Sequence, residues 1–240
     1  MRQLQSVAFA IMTLAIALAI GCKTSGGSQS AGTIAETDFA QVPAAQMGPV
    51  DQARQSVARA NDEQARAQLR LKEAQQEDQL AAADQKSAKA AMEQAKTKAQ
   101  IAGETRDPSK IELAGRLSEQ AGMQQRAADA RSDYAKKLID ARQTSVAAAD
   151  KKTALQEAKL EVAKLEALRG VNSQAAVKYD MAGLQQRVLK AQGEYQAADQ
   201  KAKDQEWWAQ QAHRTYGDAK SEFQAQTSPS GTPQTGTGSR

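Results

Sequence analysis

Val50 to Gly103 reads VDQARQSVARANDEQARAQLRLKEAQQEDQLAAADQKSAKAAMEQAKTKAQIAG. Alanine stands at every seventh position without exception: Ala53, Ala60, Ala67, Ala74, Ala81, Ala88, Ala95 and Ala102. A looser row accompanies it: Val50, Val57, Gln64, Leu71, Asp78, Gln85, Met92 and Ala99. An apolar repeat of seven sustained this long is the pattern of a coiled coil, because 3.5 residues per turn keeps one seam against a partner helix. The stretch therefore predicts one long helix with a narrow buried seam.

Outward from it, the chain is punctuated twice. Gly103 can end the first helix and Asp107-Pro108 can start a second, with Ser109 and Glu112 as an alternative capping box. Gly170 is likewise followed by the cap candidates Asn172 and Ser173. Three helices result, at about 50–103, 108–169 and 173–226. The second carries Leu113, Ala127, Tyr134, Ala141, Ala148, Leu155 and Val162 at heptad spacing; Met181, Val188, Tyr195, Ala202, Ala209, Tyr216 and Phe223 mark the third, beside a row that includes Val177 and Leu184. Short turns between long helices predict antiparallel neighbours. The expected fold is all-α: a long antiparallel three-helix coiled-coil bundle, a rod roughly 80 Å long.

Composition agrees. The chain is 40% hydrophobic but only 4% aromatic, and much of the apolar content is alanine. Such a chain cannot fill a thick globular core, whereas long helices suit it. Alanine buries far less area than the 1.5–3 kcal/mol of a buried leucine requires, so stability must come from length and helix propensity. A second copy could supply apolar cover, and Asp78 and Gln85 on the seam could set register. The net charge of +4 is spread finely along the helices. No basic stripe with interleaved aromatics offers itself to nucleic acid.

The inventory for chemistry is thin. There is one histidine, His213, and one cysteine, Cys22, too few for a His/Cys metal site, and no triad or phosphate loop is visible. No catalytic residue, metal or cofactor is expected. The cluster that stands out is Trp207-Trp208, with Arg214, Tyr216 and Phe223 downstream. It reads either as a packing plug or as a partner-contact surface of Trp207, Trp208, Arg214 and Tyr216. The helix order puts it near the far tip of the rod, by the Gly103–Pro108 turn.

The flanks differ from the rod. Residues 227–240 are a low-complexity tail, and residues 22–49 are rich in Ser, Gly, Thr and Ala, a flexible tether reaching roughly 30 Å. Before it, Arg2 precedes Val7–Ile20, a run of 14 residues with only Thr13 polar. That fits the apolar part of an export signal and is short for a membrane span. Gly21 and Cys22 close it, and a lone cysteine in an exported chain has no disulfide partner.

Ala19-Ile20-Gly21-Cys22 resembles the lipobox of bacterial lipoproteins, with Ala19 where that family usually has Leu. The resemblance implies that residues 1–21 are removed between Gly21 and Cys22 and that Cys22 is acylated. Lys23, which is not the Asp that favours inner-membrane retention, implies the periplasmic face of the outer membrane. The rod resembles alanine-rich coiled-coil envelope lipoproteins in type. The expected function is a lipid-anchored structural or protein-interaction lipoprotein, a spacer or scaffold contacting a protein partner or the cell-wall polymer. The alternative is an accessory coiled-coil part of a periplasmic transport or secretion machine.

Overall fold

The computed structural model describes residues 32–40, 42–171 and 173–227. Within them the chain is helical without a strand: a short helix α1 (Glu36–Phe39), a 3-10 turn (Ala44–Gln46), α2 (Gly48–Thr105), α3 (Pro108–Gly170), a second 3-10 turn (Gln174–Lys178) and α4 (Met181–Thr227). The long helices pack on one another, with α3 against both α2 and α4. Contacts between α2 and α4 are sparse, so α3 is the central member and its neighbours flank it.

The alanine seam forms as the spacing predicts. From Ala60 to Ala102, every seventh residue of α2 is buried. On α3 the buried row Ala127, Ala141, Ala148 and Leu155 is joined by a second, Ala114, Ala121, Ala128 and Ala135. A helix between two others needs two seams. The row of Tyr134 faces α4, which ends at Thr227 near Glu119, so Leu113, expected on that seam, has no helix beside it and is exposed.

An alanine at every seventh position leaves the α2–α3 register open to a slip of seven residues. Polar pairs close that freedom. Gln64 donates to Asp150 at 2.7 Å, and three heptads on, Gln85 donates to Asp129 at 2.9 Å. Beside these, Glu63 pairs with Lys152, and Arg131 bridges Asp84 and Glu77. As numbers rise along α2 their partners on α3 fall. The same holds from α3 to α4, where Arg126 meets Glu222, Arg142 meets Glu206 and Lys151 meets Glu194.

The boundaries follow local chemistry. Asp107 caps α3 by accepting from the Ser109 amide at 3.0 Å, with Pro108 in the first turn. Helix α2 runs past Gly103 to Thr105 and ends on Arg106, whose φ of 52° is left-handed. Gly170 does end α3, and its missing Cβ makes room for Gln46, whose Oε1 would lie 2.9 Å from it. The third long helix begins at Met181, later than the expected 173. Tyr179 is extended there, and the Asp180 carboxylate accepts from the Ala182 and Gly183 amides, both at 3.0 Å. Val177, expected on a seam, precedes that start and is 78% exposed.

The tether expected through residue 49 also needs correcting. Ile34 and Phe39 are 1% and 3% exposed, packed with Val50, Leu165, Leu168, Ala176 and Leu184 into a cluster of mainly bulky apolar residues. Two large side chains in a polar stretch had a core to join, where α3 and α4 offer leucines instead of alanines. Residues 44–49 of the expected tether also lie in the 3-10 turn and the start of α2, apart from Met47, and Thr227 of the expected tail ends α4; residues 1–31, with Gly21 and Cys22, and residues 228–240 lie outside the described residues.

Candidate functional site

Two places carry features beyond helix packing. The first is the end of the molecule where residues 32–47 return to the helices. There α3 presents two buried charged side chains, Glu161 and Lys164, on adjacent turns. The Ile34 amide donates to Glu161 Oε2 at 2.6 Å, and Lys164 Nζ reaches Glu36 Oε1 at 2.6 Å and Glu161 Oε1 at 3.3 Å. Burial opposes the charge on Lys164, but its hydrogen bonds to Glu36 and Glu161 outweigh that and hold its pKa above the usual lysine range. The same Lys164 hydrogen bond lowers the Glu36 carboxyl.

A second clasp lies beside it. Tyr179 OH accepts from the Ala35 amide at 3.0 Å and donates to Asp38 Oδ2 at 3.0 Å, and Lys178 Nζ is 3.3 Å from the same carboxylate. The Tyr179 bond, followed by the Lys178 bond, lowers the Asp38 pKa. Arg54 and Lys164 sit 5.6 and 6.0 Å from the Phe39 ring centroid, both within cation–π range. The N-terminal segment is thus held by apolar burial and by paired charge. Sequence reasoning missed these residues; Ile34 and Phe39, lone bulky residues in a polar run, were the available signal.

The second place is the α4 aromatic group. Trp207 and Trp208 are 51% and 53% exposed, and their rings meet edge to face at 4.5 Å. Arg214 is exposed, whereas Tyr216 is turned inward and stacks on Tyr134 at 6.3 Å, with His213 edge-on to Tyr134 at 4.9 Å. Burial raises the Tyr134 pKa. The four residues expected as one contact surface therefore divide: Trp207, Trp208 and Arg214 face solvent and Tyr216 packs between helices.

Their height also differs from expectation. Glu206, next to Trp207, pairs with Arg142 near the middle of α3. The tryptophans stand about 50 Å from the Arg106–Asp107 turn, not beside it. Trp207 comes 34 residues after 173, so even with α4 starting there it would stand about 40 Å short of the turn, and the start at Met181 adds about 9 Å more.

No protein-family model, curated protein or solved structure matches this chain. The described residues contain no group of three or more His, Cys, Asp or Glu side chains placed to hold a metal ion. No described helix is long and apolar enough to cross a membrane.

Proposed function

We propose that the chain is an exported lipoprotein, held in a membrane by acyl groups on Cys22, whose three long helices form one antiparallel coiled-coil rod acting as a spacer or scaffold in the cell envelope. The observation that carries this reading is the placement of the only cysteine, Cys22, directly after the apolar run Val7–Ile20 and Gly21. Two or three acyl chains, at about 0.8 kcal/mol per buried methylene, give the firm attachment that a spacer needs. Lys23 favours the periplasmic face of the outer membrane.

The docked segment supports a spacer. Only ten peptide units separate Cys22 from Gly32, a span of at most about 35 Å. The clasp at Glu161, Lys164 and Tyr179 then makes the Ile34 end proximal to the lipid. The 63 residues of α3 correspond to about 95 Å, so the Arg106–Asp107 turn becomes the distal end. The reading assigns the protein no reaction: His213 is exposed and packs on Tyr134, and the nearby Glu77, Asp84 and Glu206 are committed to ion pairs.

Metabolic labelling with a clickable fatty acid tests the proposal. Label should enter the wild-type chain and disappear in Cys22→Ala, which should also retain residues 1–21. Equal labelling of both chains, or of neither, rejects it.

A further inference from the structure

The outward sides of α2 and α4 are unpartnered, and we infer that they pair with each other between copies, the α4 edge of one copy against the α2 edge of the next. Trp207 stands two residues before the buried Ala209, about 160° around the helix from it, and so points away from α3. Leu69 is 58% exposed and lies roughly 140° from the buried Ala74. Ala65, one turn before Leu69, is exposed and leaves room beside it for a large ring, and Ala83 is a further small exposed residue along the same edge.

Charge fits the same pairing. Lys72 and Lys86 each precede a buried alanine, Ala74 and Ala88, by two residues. Asp204 and Asp218 each follow an inward residue, Ala202 and Tyr216, by two. All four are therefore on the outward edges, all four are exposed, and none is in an ion pair among the described residues. The lysines are two heptads apart and so are the aspartates.

The heights agree as well. Arg142 pairs with Glu206 on one side of α3. On the other side the bonds Gln64–Asp150 and Gln85–Asp129 set Lys72 level with Arg142. Lys72 and Asp204 thus lie within about 3 Å of one height, and by the Arg126–Glu222 pair so do Lys86 and Asp218. Trp207 falls between Leu69 and Gln76. A second copy standing beside the first, with no shift along the rod, meets two lysine–aspartate pairs and a tryptophan against a leucine. Copies anchored in one membrane stand at one level; that clause alone rests on the anchoring proposal, and association in solution does not need it. Because the two edges differ, the contact is head-to-tail and extends to a ring or a row.

Sedimentation of the purified full chain in density-matched detergent tests this. Wild type should form species larger than a dimer that dissociate on dilution. Leu69→Lys with Ala83→Lys, and separately Trp207→Lys, should each be monomeric at unchanged helicity and melting temperature. A one-to-one mixture of the two variants should form a dimer and nothing larger, since each keeps one intact edge. Lys72→Asp should weaken association at least tenfold, and adding Asp204→Lys should restore it. Monomeric wild type, edge variants that still associate, or a mixture that stays monomeric would overturn the inference. So would a photocrosslinker at Gln200 that captures a different protein or lipid in cells instead of the Leu69 region of this chain. Loss of fatty-acid labelling would reject anchoring and leave these sedimentation outcomes intact.

Discussion

Phe39→Ala isolates the docking of the N-terminal segment. Phe39 is 3% exposed, against Ile34, Val50, Leu165 and Leu168, with two cations over its ring. Removing a buried phenylalanine costs about 3–5 kcal/mol, the lost transfer energy plus the cavity left behind. The segment touches only one end of the helices, so the loss falls on local docking and leaves the long seams intact. Amide exchange reads this directly, because the Ile34 amide is bonded to Glu161 and the Ala35 amide to Tyr179. At roughly 1.4 kcal/mol per tenfold, protection of these two amides should fall by about 100- to 4,000-fold. Amides around Ala74 and Ala81 should keep theirs. Unchanged exchange at Ile34 would refute the claim that Phe39 burial holds the segment, and equal loss along α2 would refute its independence from the seams.

Other outcomes follow from the same packing. Ala81 is fully buried on the α2 seam, so Ala81→Leu should push the helices apart and cost about 1–3 kcal/mol by chemical denaturation, despite adding apolar area. Arg106→Gly should stabilise by about 1 kcal/mol in the same assay, because a left-handed residue without a Cβ is unstrained. Acid should release the segment. Glu36 and Asp38 have pKa values lowered from 4.5 and 3.8, so their contribution is present above those values and is lost as pH falls through the lowered ones. Lys164, raised above 10.5, contributes fully below that pH and loses its contribution only as pH rises through the raised value. Proteolysis within residues 32–40 should therefore be slow at pH 7 and accelerate below about pH 4, in a protease active at both.

Much of the helical pattern was legible because alanine at every seventh position leaves few alternatives. Ala60 to Ala102 are buried as their spacing predicts, and the Asp107-Pro108 start of α3 is where cap chemistry puts it. The misses each have a local physical cause. Gly103 could end a helix, but no contact required it to, and α2 continued to Arg106. Leu113 fitted the α3 heptad, yet its row faces α4, and α4 ends near Glu119 before reaching it. Ile34 and Phe39 sat in a polar run whose composition reads as tether. Only the leucines of α3 and α4, more than a hundred residues away, make them core. The mid-height of the tryptophans was largely legible, since Trp207 comes only 34 residues after 173, and the start of α4 at Met181 adds about 9 Å to its distance from the turn.

The proposed anchor makes Cys22 the first residue of the mature chain and its point of attachment. Intact-mass and N-terminal peptide analysis of protein extracted from membranes tests it in one measurement. The account predicts a chain beginning at Cys22, with a mass increment of a diacylglycerol on sulfur and, where the amino group is also acylated, one further acyl chain. An unmodified Cys22, or a chain that still begins at Met1, would contradict it.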